Sequence, residues 1–107
     1  MPAEEFHRYW LEHHGPLVKS LREVLPGMTR YAQSHTLPGP ETERLRASRG
    51  TDEPFDGVAE IWLDPTVKAE DAAAARAAIA QLIEDEMRFL DLARSVIFMT
   101  EEHVIFD

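Results

Sequence analysis

Tyr31, Gln33 and His35 recur at every second position, a spacing that in a β-strand sends all three side chains to one side of the sheet. His14 falls inside an apolar helical stripe with Phe6, Trp10, Leu17 and Leu21, all within about 80° of arc. A helix bearing such a stripe covers a sheet, so the four polar groups are expected to meet in an apolar shell beneath the first helix. A neutral imidazole there can take a proton, its ordinary pKa being ~6.5, and a phenol or amide can hold a developing oxyanion. His14 and His35 are thus candidate general bases, Tyr31 the candidate donor to a carbonyl oxygen, and Gln33 a candidate ligand-binding group. Trp10, Trp62 and Phe89 offer flat walls for a ring-shaped ligand. Glu86, if the second helix is continuous, lies among apolar residues where desolvation would raise its pKa.

Each of these residues also has a plainer role. His14 and His35 could be core residues satisfied by backbone carbonyls or by each other, and Gln33 could cap a strand edge. Trp10 and Trp62 fit a core as well as a cage, and Glu86 could pair with Arg88 or Arg94. Asp56 and Asp85 read as structural, the former in a turn or bulge before Gly57. A metal centre is not expected. His7 and His14 stand two helical turns apart, about 10.5 Å, and no His-x-x-x-His pair occurs. Neither a glycine-rich phosphate loop nor a Gly-x-Ser-x-Gly elbow is present, so no cofactor is expected either.

The elements that must position these groups follow from periodicity. Residues 2–25 read as a helix opening on Pro2 and the acidic Glu4 and Glu5, with a kink or restart at Pro16, which cannot donate to the Glu12 carbonyl. Residues 28–37 read as a strand, and residues 38–54, rich in Pro, Gly, Glu and Arg, as an aperiodic loop or flap. A second strand spans residues 55–63. An alanine-rich helix covers residues 67–92, its stripe formed by Ala72, Ile79, Ile83 and Leu90 with Glu86 among them. Residues 95–106, around Val96-Ile97-Phe98 and Val104-Ile105-Phe106, read as a last strand. The order predicts an α+β fold with an antiparallel sheet and helices on one face.

At 107 residues the chain is expected to form one domain over its whole length. Its 11 basic and 20 acidic side chains leave a net charge of −9, and no basic cluster stands out, which disfavours nucleic acid and anionic membranes as partners. Residues 51–107 carry 14 acidic against 4 basic groups, so the excess lies in the second half. With no cysteine, disulfides, thiolate nucleophiles and the usual zinc frameworks are excluded. No window approaches the ~18 apolar residues of a membrane span, and the N-terminus lacks a secretion signal's basic start. A soluble protein of the reducing cytoplasm is expected.

Five segments in order carry a family resemblance: Glu5-Phe6-His7-Arg8-Tyr9-Trp10 through His14-Gly15-Pro16-Leu17, then Arg30 to Leu37, then Phe55 to Trp62, then Asp85-Glu86-Met87-Arg88-Phe89-Leu90-Asp91, then Met99 to Ile105. In these the chain resembles the EthD family, whose members adopt a ferredoxin-like dimeric α+β barrel. The resemblance implies a homodimer, and an antiparallel sheet with two helices on one face. It also implies an apolar strand ahead of the first helix; that strand is expected to be absent from this sequence, which starts directly at the helix. The family's dehydratases and decarboxylases of polyketide-type compounds imply cofactor-free lyase or isomerase chemistry on a hydrophobic or aromatic oxygenated molecule. A non-catalytic accessory protein that holds an apolar metabolite for a partner oxygenase is the alternative. A purely structural domain with no cavity is a third.

Overall fold

A computed structural model describes all residues, 1–107. Its secondary structure runs α1 (Ala3–Tyr9), a π-helical turn (Trp10–His14), α2 (Gly15–Ser20), β1 (Met28–His35), α3 (Pro40–Arg49), β2 (Gly57–Leu63), α4 (Ala72–Phe89) and a 3₁₀ turn (Leu92–Arg94). It is an α+β fold of the ferredoxin-like kind, reduced to a two-stranded antiparallel sheet with the first helical rod and α4 gathered on one side. No helix is long and apolar enough to cross a membrane.

The rod Ala3–Ser20 stays helical through Pro16 by changing hydrogen-bond frame. Pro16 has no N–H to offer Glu12, and the Gly15 N–H reaches back five residues to the Trp10 carbonyl. The expected kink is therefore a π-turn, and both its buried residues, Trp10 and His14, face the interior. In the sheet, Tyr31 pairs with Ile61, Gln33 with Ala59 and His35 with Gly57. Directly opposed residues share a face, so the polar triplet stands on the side that the rod covers.

Gly57 permits that cover. A Cβ there would lie 2.4 Å from the Ser34 carbonyl oxygen and 2.6 Å from Trp10 Cζ3, so the indole lies directly on the strand. On α4, Asp71 caps the N-terminus by accepting from the Ala74 N–H at 3.0 Å. The helix accordingly starts at Ala72, five residues later than expected. Its inward stripe is Ala78, Asp85 and Phe89, all buried, with Leu82 half-buried between them. The expected stripe is thus turned by one residue, about 100°, and Ile79 and Ile83 are half exposed.

Two further expectations are corrected. Residues 40–49 form α3 instead of a flap. The helix is held by Pro40 at its start, ion pairs from Arg44 to Glu41 and from Arg46 to Glu43, and Gly50 at φ 64° past its end. Caps and charge pairs substitute there for an apolar stripe. Residues 95–106 form no strand. A β-prone segment becomes a strand only beside a neighbour's ladder, and neither β1 nor β2 pairs with it. The interior is correspondingly small: only six residues are buried, while Ile97, Ile105 and Phe106 are almost bare.

Candidate functional site

Two hydrogen-bonded networks lie between the rod, the sheet and α4. The first centres on Asp85, whose side chain is fully buried. Its Oδ1 accepts from the Tyr9 hydroxyl at 2.5 Å and from Arg88 Nη1 at 3.2 Å, and its Oδ2 contacts His14 Nδ1 at 2.8 Å. His13 Nδ1, on the exposed rim, stands 3.5 Å from Oδ1. Burial opposes ionisation of Asp85, yet hydrogen bonds from Tyr9, His14 and Arg88 outweigh it and hold the carboxyl below the ordinary aspartate value. The same contact pushes the Tyr9 phenol up, burial adding to it.

The second network runs along β1. Gln33 Nε2 donates to the Trp10 carbonyl oxygen and to the Tyr31 oxygen, both at 2.9 Å. A carbonyl can only accept, so the amide orientation follows, and Gln33 Oε1 must face His35 Nε2 at 2.8 Å as an acceptor. His35 Nε2 therefore carries a proton. In the neutral ring its Nδ1 is then an acceptor, so the His7 Nδ1–H, at 2.8 Å, donates to it. Burial holds His35 below the ordinary imidazole value, and the nearby His7 adds to this.

Three groups beside these networks keep hydrogen-bonding capacity that nothing in the chain uses. His14 Nε2 makes no hydrogen bond, and since no buried side-chain polar atom lacks a partner, this nitrogen must reach accessible surface. The Tyr31 oxygen accepts from Gln33, which leaves its own O–H free to donate. Burial pushes the phenol up, hydrogen bonding from Gln33 and Trp10 opposing and the Glu86 charge adding. Glu86, half-buried on α4, engages no donor. Its pKa is raised by burial, lowered by His14 and raised by Asp85. Three elements thus carry one free acceptor, one free donor and one carboxyl without a donor of its own.

The remaining expected residues have other positions. Trp10 is buried, 4.2 Å from the His35 ring between centroids. Phe89 is buried among Phe6, Tyr9 and His14, with centroids 5.0–5.6 Å away. Both are filled-in core and leave no open wall. Trp62 pairs with Arg30 on the opposite face of the sheet, where the guanidinium lies 4.4 Å from its ring centroid. Strand parity separates it from the site. His14 and His35 belong to different networks, and His35 has both ring nitrogens engaged, so only His14 retains a free lone pair. Shallow hollows lined by Ala75, Arg76 and Ile79, and by residues of α3 and Gly50, lie away from this cluster.

Sequence reasoning passes over Tyr9, reads Asp85 as structural and offers Arg88 to Glu86, whereas Arg88 pairs with Asp85 and Glu84; Asp85, Arg88 and Phe89 share one helix face by their three- and four-residue spacing. No curated protein and no solved structure matches this chain. The EthD domain model, by contrast, matches residues 1–93, taking in the rod, both strands and all of α4. The helix that carries His14, the strand that carries Tyr31 and the helix that carries Asp85 and Glu86 are therefore those of an EthD domain, and the chain belongs to the EthD family.

Proposed function

We propose that this protein is a cofactor-independent acid–base catalyst, a lyase or isomerase, acting on a hydrophobic or aromatic oxygenated molecule in the cytoplasm. The reading is supported by three groups, His14 Nε2, the Tyr31 O–H and the Glu86 carboxyl, that donate to or accept from nothing in the chain and sit on three elements tied together by the His14–Asp85 and Gln33–Trp10 hydrogen bonds. With a carbonyl oxygen against Tyr31, His14 Nε2 removes the proton on the adjacent carbon, and the electron pair passes to the oxygen as an enolate that the phenol stabilises. Collapse of the enolate expels a β-hydroxyl, which takes the proton from His14 and leaves as water. Return of the proton to another carbon gives isomerisation instead.

A homodimer is part of this reading. Ile79, Ile83 and Met87 form an exposed apolar row on α4, and the tail adds Ile97, Phe98, Ile105 and Phe106. So much bare apolar surface on a small domain marks an interface. A second copy would also close the water-facing side of the cluster.

The test uses a panel of aryl β-hydroxyketones in D₂O, with exchange of the hydrogen beside the carbonyl and loss of water followed by ¹H NMR. Wild-type protein should accelerate both, His14→Ala should abolish the effect, and Tyr31→Phe should reduce it by about 10²-fold. Saturable binding without exchange would establish the accessory-protein reading. The absence of both binding and exchange across the panel would refute any ligand role for this cluster.

A further inference from the structure

The fully buried Asp85 has no explanation in stability. A carboxylate taken out of water costs several kcal/mol before its partners compensate, and an apolar side chain of similar size commonly serves a core at least as well. Its surroundings instead divide the labour between its two oxygens. Oδ1 collects Tyr9 and Arg88, which keep that oxygen occupied from the outer side. Oδ2 is left to a single partner, His14 Nδ1, at 2.8 Å. We propose that Asp85 is a positioning residue that locks His14 in its Nδ1–H tautomer, directing the Nε2 lone pair at the substrate, and that Tyr9 and Arg88 keep Asp85 an acceptor for that purpose.

The argument is one of donors and acceptors. An ionised carboxylate only accepts, so the hydrogen between Oδ2 and Nδ1 belongs to the ring, and a neutral ring with Nδ1–H has its lone pair on Nε2. The Tyr9 phenol retains its proton because its pKa is pushed up by the same contact, so it remains a donor to Oδ1. Arg88 cannot lose its charge at any relevant pH. Packing assists: the Phe89 ring, one helical turn from Asp85, lies 5.0 Å from the His14 ring between centroids at a 52° tilt, so the imidazole is flanked by an aromatic ring as well as held at Nδ1. His13, exposed beside the same carboxylate, stacks instead on the Tyr9 ring, 4.4 Å away between centroids, and stands 3.5 Å from Oδ1, not at Oδ2.

The proposal rests on the catalytic reading for its purpose but can be tested without a substrate. Long-range ¹H–¹⁵N spectra at about pH 8.5 report the tautomer of each histidine. Wild-type His14 should be the Nδ1–H form. Asp85→Asn keeps the side-chain size but can present its amide N–H to Nδ1, and should move His14 to the Nε2–H form. Where the exchange reaction is active, the rate should fall by on the order of 10²-fold or more. Tyr9→Phe should retain the tautomer with a smaller loss of rate. A wild-type His14 in the Nε2–H form overturns the proposal without any variant, so failure of Asp85→Asn to fold does not shield it. An unchanged tautomer in folded Asp85→Asn overturns it equally. A confirmed tautomer with no exchange activity would instead sink the catalytic reading and leave the role of Asp85 standing.

Discussion

Gly57→Ala is the most economical probe of how the rod sits on the sheet. The added methyl would lie 2.4 Å from the Ser34 carbonyl oxygen, 2.6 Å from Trp10 Cζ3 and 2.8 Å from Trp10 Cη2, about 1 Å inside ordinary contact at the closest point. Ser34 O is backbone within the ladder and Trp10 is buried, so neither yields cheaply. Overpacking by one methyl ordinarily costs about 1–3 kcal/mol. With two obstacles the upper end applies, about 3 kcal/mol. For a domain of this size that is a fall in Tm of roughly 13 °C, read by far-UV circular dichroism with the near-UV tryptophan band as a local reporter. Adding Trp10→Leu removes the ring contacts but not the carbonyl, and should restore little. A Gly57→Ala protein melting within 2–3 °C of wild type, with an unchanged near-UV band, would refute the close seating of Trp10 and hence the placement of Gln33 beneath it.

Three further outcomes are expected. Glu86 has a raised folded-state pKa, so its charge weakens the fold increasingly as pH rises from 4.5 through that value. Glu86→Gln should stabilise by about 1 kcal/mol near neutrality, and the gain should vanish toward pH 4 in urea titrations. His35 and Asp85 are both depressed, so the unfolded chain binds their protons first. Their contribution to stability should be full above about pH 6.5 and fall on acidification, first through the His35 interval and then below that of free aspartate. His35→Phe should remove the first step alone, and a difference in urea midpoint between wild type and His35→Phe that stays constant from pH 7 to 5 would contradict the assignment. Finally, Ile97→Asp with Phe106→Asp should shift sedimentation toward monomer while leaving the intramolecular contacts intact; an unaltered dimer would exclude the tail from the interface.

Much of the site was legible because two periodicities are hard to disguise. The alternation Tyr31, Gln33, His35 can only mean one face of a strand, and Phe6, Trp10 and His14 keep their common side through the π-turn. What escaped had a physical reason in each case. Asp85 interrupts the apolar pattern that locates a helix's inner face, so counting apolar residues selected Ile79 and Ile83, which lie one step around the helix and remain exposed. Trp62 shares a strand with Gly57 and Ala59 but has the opposite parity, and parity acquires meaning only once Tyr31 is paired with Ile61. The helix at Pro40–Arg49 has no oily stripe to reveal it, because its ends and ion pairs do that work locally. The tail carries every local sign of a strand and lacks only a partner, which no reading of the segment by itself can supply.

The π-turn sets the register between the two halves of the rod. Excising one residue from it, the exposed Leu11 for example, would return the rod to an unbroken α-helical frame and relieve a poorer hydrogen-bond geometry. The same excision would swing everything downstream relative to Phe6 by about 100°. Among the residues carried off would be His14, parted from Asp85. A more regular helix would thus part the imidazole from its carboxylate and unseat Val18, buried on the same stretch, so the irregular winding is what keeps His14 and Asp85 in register.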